Sequence, residues 1–171
     1  MAAKAAEGGV DVFNDLGDVE ARRLLQSCLD VPRWVDEVLA GRPYETAPAL
    51  LERASAAAAA LTPDEVEAAL ARHPRIGERA GAGHDRAFSE SEQSGVDRDD
   101  AEVARALADG NAAYERRFDR VFLIRAAGRS SEEILAELRR RLDNSDDDEL
   151  AEVVRQLGEI ALLRLEQVMG R

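Results

Sequence analysis

A chain of 171 residues with 35 acidic and 23 basic side chains has a formal net charge of −12. A field of this sign repels nucleic acids and anionic membranes, so neither is expected as a partner. The length suits one domain that buries a core without disulfides or metal, and the single cysteine, Cys28, cannot form an internal disulfide. These features indicate a reducing, intracellular setting.

Neither end of the chain shows a targeting pattern. Met1 to Gly9 has one lysine and lacks the apolar core of a secretory signal, and residues 1–11 are expected to form a disordered tail before a single domain over residues 12–171. No apolar run approaches the roughly 18 to 20 residues that span a bilayer. Met169-Gly170-Arg171 differs from a peroxisomal signal, so the expected location is the cytoplasm of a bacterium.

Apolar residues recur at helical spacing through the first sixty positions. Asp18 is predicted to cap the first helix, the second stops at Gly41, and a third runs from Ala47 to Leu61. The apolar residues of the first two helices are Val19, Leu24, Leu25, Cys28, Trp34, Val35, Val38 and Leu39.

A fourth helix begins with a complete start pattern and ends at a histidine. Thr62 is the predicted N-cap, Pro63 takes the first helical position, and Glu65 closes a capping box. His73 falls on the apolar face of this helix, and Pro74 forces the chain out of helical geometry. An imidazole at this place is predicted to face a cleft.

Three more helices are predicted in the second half of the chain. The first runs from about Asp97 to a point before Gly128, the second begins at a capping box of Ser130 and Glu133, and the last begins after Ser145. No segment alternates for long with the period of two that a strand needs. The chain is therefore predicted to be an all-α bundle of about seven or eight helices.

Arg164 is out of place in the last helix. It lies on the stripe that aliphatic residues define as inward, namely Leu150, Val154, Leu157, Ala161 and Val168. A guanidinium keeps its charge, so an inward arginine needs a carboxylate, an anionic ligand or a route to water. An internal ion pair or a stem that extends to solvent would explain it without any ligand.

Two other groups favour a ligand. His73 and Glu92 can perform acid/base chemistry, and the glycine-rich residues 77–87 between them would suit a lid. Each has an ordinary alternative, since His73 can pair with the end of its helix and Glu92 can be a solvated charge or the capping-box partner of Ser89. Together the residues predict acid/base work by His73 and Glu92 on a small anion that Arg164 holds.

Other chemistries lack their residues. His73, His84 and Cys28 cannot supply the ligands of a structural zinc site, so no metal is expected. The Gly-x-Ser-x-Gly elbow of a serine hydrolase is absent, and Gly81-x-Gly83 is too short for a dinucleotide fingerprint.

Four blocks of sequence resemble one enzyme family. They are His73-Pro74-Arg75-Ile76-Gly77, then Ser89-x-x-Glu92-Gln93, then Asn111-x-x-Tyr114-x-x-x-Phe118-x-x-x-Phe122-Leu123-Ile124, and finally Gly128-Arg129 with Glu159-Ile160-x-x-x-Arg164-Leu165. In this order they resemble the 2-oxo-4-hydroxy-4-carboxy-5-ureidoimidazoline (OHCU) decarboxylases, which convert the last intermediate of urate oxidation to (S)-allantoin. The resemblance covers roughly Val12 to Val168.

The resemblance implies an all-α carboxy-lyase that needs no cofactor and acts on a small ureidoimidazoline anion. His73 matches the catalytic histidine, Pro74 the neighbour whose main chain touches the substrate, and Arg164 the arginine that grips it. The positions that match other contacts are Ser89, Glu92 and Gln93 for polar groups, and Phe122, Leu123, Ile124, Arg125 and Ala126 for a stretch that lines the pocket with backbone groups. A homodimer is expected from general prevalence alone.

Two positions depart from the family pattern. Asp119 follows Phe118 where relatives commonly have glycine, and Arg125 occupies a place associated with a smaller residue. Both departures concern the shape of the pocket. Arg125 is open to interpretation as a second anion contact or as an exposed helix end.

Two other classes of function stay open. A histidine phosphotransfer module needs an exposed histidine in mid-helix, which Pro74 directly after His73 disfavours. A non-catalytic helical adaptor would hold Arg164 in an internal ion pair and would have no pocket.

Overall fold

The computed structural model of the protein describes residues 2–76, 92 and 100–170, with the backbone alone for residues 2–8. The described residues form eight α-helices and contain no strand, which confirms the predicted all-α class. The helices are α1 Ala2–Asp15, α2 Asp18–Cys28, α3 Pro32–Ala40, α4 Ala47–Ala59, α5 Pro63–Leu70, α6 Ala101–Phe118, α7 Ser131–Leu142 and α8 Asp146–Met169. None of the helices in these ranges combines the length and apolar character that crossing a membrane demands.

Residues up to Glu65, together with those from Leu157 onward, form one compact unit. Within it α2 packs on α3, α3 on α4, and α4 on α1. Trp34 is fully buried, and its indole N–H donates to the Ala54 carbonyl at 2.9 Å, so the ring buries its apolar area with its one polar atom paired. A Cβ at Gly9 would overlap the backbone of Met169, so α1 requires glycine at this close approach to the end of α8.

Residues Val66–Gln156 form the second compact unit. In it α6 packs on α7, and a Cβ at Gly110 would overlap the Leu138 side chain, so the absence of a side chain allows these helices to approach closely. One apolar cluster forms the core of this unit. Its buried members are Ile76, Leu107, Tyr114, Phe118, Phe122, Ile124, Ala126, Ile134 and Leu138.

Both predicted capping boxes are present. The Glu65 N–H donates to Thr62 Oγ1 at 3.3 Å, and the Thr62 N–H donates to Glu65 Oε2 at 2.9 Å. The pair of Ser130 and Glu133 repeats this arrangement at the start of α7, with distances of 3.2 and 2.8 Å. These helix starts are thus specified by their local sequence.

Two details differ from the sequence-based predictions. Asp18 is the first residue of α2 and Gly17 occupies the cap position. The apolar stripe predicts that α6 continues to a point before Gly128, but the helix ends at Phe118. The disordered tail over residues 1–11 and the single domain over residues 12–171 stay predictions.

The inward stripe of α8 is also rotated from the predicted one. Leu150, Val154 and Val168 are half-buried, whereas the buried positions are Glu149, Val153, Gln156, Leu157, Ile160, Ala161, Arg164 and Leu165. The predicted inward position of Arg164 is confirmed, and two further polar residues join it on the buried face.

Candidate active site

His73 lies just beyond the end of α5. The helix ends at Leu70, and the turn then tightens, because the N–H groups of Arg72 and His73 donate to carbonyls three residues back at 3.2 and 3.0 Å. His73 and Pro74 are both half-buried. The histidine therefore stands at a helix end, outside the mid-helix position that a phosphotransfer module needs.

Two residues of α6 fasten the connection that follows His73. Asn111 Nδ2 donates to the Ile76 carbonyl at 3.1 Å, and Arg75 donates to both carboxylate oxygens of Glu115 at 2.5 and 3.0 Å. Residues four apart share one face of a helix, so Asn111 and Glu115 hold the connection side by side. The hydrogen bond from Arg75 lowers the pKa of the Glu115 carboxyl.

The segment Phe122–Ala126, which follows α6, is non-helical and largely buried. Asp119 ends the helix in the left-handed region with φ of 54°. Four of the five residues of the segment are between 1% and 4% exposed, and Arg125 is half-buried. An amphipathic helix buries one stripe of its surface, on which residues recur at spacings of three and four. Three successive residues cannot all lie on that stripe, so the chain leaves helical geometry here. Arg125 accordingly belongs to this segment and is not a helix end.

Arg141 of α7 reaches the segment from a fully buried position. Its Nη1 donates to the Leu123 carbonyl at 2.7 Å, and its guanidinium carbon lies 4.6 Å from the centre of the Phe122 ring. Nε and Nη2 donate to Glu149 Oε1 at 2.9 and 2.5 Å. A buried guanidinium is tolerated when it is paired and hydrogen-bonded, and Arg141 meets both conditions.

Glu149 is also fully buried, and donors surround its carboxylate. The Tyr114 hydroxyl donates to Oε1, and Asn144 Nδ2 donates to Oε2 at 2.9 Å. Burial raises the pKa of the Tyr114 phenol, and the hydrogen bond to Glu149 raises it further. We refer to Tyr114, Arg141, Asn144 and Glu149 as the Arg141 cluster.

Gln156 of α8 holds the same segment two residues further along. Its Oε1 accepts the backbone N–H of Arg125 at 2.7 Å, and its side chain is almost completely buried. Arg129 Nε donates to the Arg125 carbonyl at 3.2 Å. Both backbone polar groups of Arg125 are therefore satisfied within the protein.

Glu92 and Arg164 are both buried, at 7% and 3% exposure, which rules out a solvated surface position for either charge. Glu92 belongs to the second unit and Arg164 to the first. Ser89, Gln93 and the predicted lid over residues 77–87 lie outside the described residues.

The structure brings together two of the predicted blocks. Ile76, three residues after His73, and three members of the segment Phe122–Ala126 belong to one apolar cluster. Across the described ranges, no three His, Cys, Asp or Glu side chains converge closely enough to hold a metal ion.

Comparison with protein families decides the identity. The family model for OHCU decarboxylase matches residues 14–166. The chain belongs to the OHCU decarboxylase family. It is therefore a carboxy-lyase, as the four sequence blocks predict. No curated protein matches the chain.

Two solved structures share the fold of this OHCU decarboxylase family member. One, an OHCU decarboxylase crystallised in the presence of (S)-allantoin, is 20% identical, with a TM-score of 0.71 over 85% of this chain and 96% of that one. The other, an (S)-allantoin synthase, is 17% identical, with a TM-score of 0.68 over 93% of this chain and 53% of that one. At identities this low, the structural likeness establishes a common fold and nothing further.

The polar residues that fasten the site were not identified from the sequence. The sequence does indicate that Arg141 points inward, because it follows Ile134 and Leu138 on one helical face at spacings of four and three. Arg164 interrupts the apolar face of α8 in the same way. Glu149 gave no such signal, since it ends an acidic run of the kind that starts a helix. Gln156 had none, because the predicted stripe of α8 was rotated away from it.

Proposed function

We propose that this chain converts OHCU to (S)-allantoin without a cofactor, with His73 as the proton donor. The supporting observation is that the family match over residues 14–166 includes a His73 connection fastened to α6 and a buried segment, Phe122–Ala126, on the same apolar cluster. A fixed half-buried histidine beside ordered backbone suits proton delivery in a defined direction.

The substrate can accept the electrons of its own decarboxylation. When the bond to the carboxyl carbon breaks, carbon dioxide leaves and the electron pair passes into the adjacent imine-like ring system. Protonation of the neighbouring ring carbon, with transfer of the hydroxyl proton to the ring nitrogen so that the hydroxyl group becomes a carbonyl, then completes the conversion to allantoin. The ring supplies the electron sink that a cofactor provides in other decarboxylases.

In this proposal His73 delivers the proton to one face of the ring, so one enantiomer forms. Glu92 engages the substrate hydroxyl, and Arg164 binds the anion through charge-assisted hydrogen bonds. Burial of both charged groups supports these roles, because low dielectric strengthens their interaction with a bound ligand.

The remaining contacts hold the substrate in place. We assign Pro74 and the segment Phe122–Ala126 to main-chain contacts, and Ser89 and Gln93 to polar side-chain contacts. Arg164 also offsets the repulsion between an anionic substrate and a chain of net charge −12.

The test generates OHCU in situ with urate oxidase and 5-hydroxyisourate hydrolase. Its ultraviolet decay and the circular dichroism of the allantoin are followed with and without the protein. The wild type should accelerate the decay and enrich the (S)-product. His73→Asn should lose about a hundredfold or more of the enzyme-dependent rate, because general acid catalysis contributes that much.

Thr62→Ala is the matched control, since it weakens the opposite end of α5 by about 1 kcal/mol and leaves His73 in place. It should keep the wild-type rate below its melting temperature. Unchanged decay with racemic product from folded wild type would refute the proposed reaction. If His73→Asn leaves the rate and the product's chirality unaltered, only the role of His73 is refuted, and the proposed reaction stands.

A further inference from the structure

We propose that Arg141 and Gln156 are positioning residues that hold the segment Phe122–Ala126 in the shape in which its backbone groups meet the substrate. This inference rests on the proposed function. Arg141 acts on the Leu123 carbonyl and Gln156 on the Arg125 N–H, from two different helices.

The contacts of Arg141 are directed at the segment and not only at its counter-ion. Two of its nitrogens donate to Glu149, while the third, Nη1, donates to the Leu123 carbonyl. The guanidinium carbon also lies close to the Phe122 ring. A rigid guanidinium fork fixes the carboxylate and the carbonyl relative to each other. The position of Leu123 is thereby tied to that of α7 and α8.

Stability alone does not explain this arrangement. Replacing a buried ion pair by apolar residues of similar volume is often neutral or stabilising, because two charges no longer lose their hydration. An apolar core would, however, leave the Leu123 carbonyl buried without a donor. What Arg141 adds is a fixed hydrogen-bond direction at that carbonyl.

Gln156 supplies the complementary contact. Its buried Oε1 takes the Arg125 N–H at 2.7 Å, so one tether holds an acceptor and the other a donor of the same segment. A backbone that is held at two points presents its remaining N–H groups in fixed directions, which suits a substrate rich in carbonyl and carboxylate oxygens.

The test compares four variants with the wild type in the in situ OHCU assay and by backbone amide ¹⁵N–¹H spectra. Arg141→Lys keeps the charge but cannot reach Glu149 and Leu123 with a fork, and Gln156→Leu removes the acceptor. Each should shift the amide signals of Phe122–Ala126. Each should also lower kcat/KM by about tenfold or more, because a small displacement of groups that contact the substrate costs this much in rate. Gln156→Glu keeps an acceptor oxygen and should restore kcat/KM to within about threefold of wild type.

Asn144→Ala is the matched control for lost stability. It removes the hydrogen bond to the other oxygen of Glu149 and keeps the bonds that Arg141 and Gln156 make to the segment, so it should keep kcat/KM within about threefold of wild type. If Arg141→Lys does not fold, Gln156→Leu decides the matter, since it leaves no buried charge unpaired.

The inference is overturned if the segment amides shift and kcat/KM does not change, or if all variants lose activity in parallel with melting temperature. An active wild type with unshifted amides in Gln156→Leu would also overturn it. An inactive wild type, by contrast, would refute the proposed function, which is a separate outcome of the same assay.

Discussion

Asp119, the residue at which α6 stops, adopts a conformation that most side chains avoid. Its φ of 54° lies in the left-handed region, which glycine enters without steric cost and Asp or Asn enter more readily than other residues. The resemblance to the family predicts glycine at this position, so Asp119 is one of the two departures from the expected pattern. The structure explains the departure, because aspartate is a workable substitute at a left-handed position.

Asp119→Gly is expected to raise the free energy of unfolding by up to about 1 kcal/mol, because relief of the left-handed strain exceeds the entropy that glycine adds to the unfolded chain. Asp119→Val should lower it by about 1–2 kcal/mol, since a β-branched residue fits this region worst. Urea unfolding of both variants measures the difference. A glycine variant less stable than the wild type would contradict the interpretation.

The chemistry-bearing residues of the site divide into those that local patterns reveal and those that they do not. Arg164 is visible because a charged residue interrupts an aliphatic stripe, and Arg141 follows the same rule on α7. Glu149 and Asn111 are ordinary in sequence, and their importance comes from the partners that folding brings to them. Such partners, Arg141 for the one and the Ile76 carbonyl for the other, lie 8 and 35 residues away.

At the level of the helix, starts were easier to predict than ends. Thr62 and Ser130 carry their capping boxes in four consecutive residues, so the sequence alone contains the information. The end of α6 has no glycine or proline, and the helix stops because Phe122, Leu123 and Ile124 must all be buried. That requirement depends on what α7 and α8 present, which no local pattern records.

Ser130→Ala is expected to lower the free energy of unfolding by about 1 kcal/mol, because the Glu133 N–H loses its capping acceptor. Ser130→Asp keeps an acceptor at the cap and should stay within a few tenths of a kcal/mol of wild type. Thermal unfolding of the two variants provides the comparison. Equal losses in both would show that the hydroxyl has a role other than capping.

In a chain of net charge −12, the carboxylates that pair with arginine link the stability of the whole molecule to pH. Hydrogen bonds from arginine lower the pKa of Glu65, Glu115 and Glu137, with Arg33, Arg75 and Arg140 as the respective donors. Each is a partly exposed pair that contributes little by itself. Together they link stability to pH in both compact units.

Stability should be constant above the ordinary glutamate pKa of 4.5 and should fall as the pH drops below it. The sign follows because a lowered pKa in the folded state means that the unfolded chain binds more protons in this range, so acid favours unfolding. Glu65→Gln should flatten the dependence. Urea unfolding between pH 3 and 7 checks this, and an equal slope in wild type and variant would count against it.

The Arg141 cluster also restricts how this sequence can drift. Loss of Arg141 alone leaves the buried Glu149 carboxylate without its counter-charge, and loss of Glu149 alone leaves the buried Arg141 guanidinium without its own, at a cost of about 3–5 kcal/mol in either case. That is a large part of the roughly 5–15 kcal/mol that stabilises a typical domain. Positions 141 and 149 are therefore expected to covary among relatives. Relatives that keep this pair are expected to keep the backbone conformation of the segment Phe122–Ala126 as well.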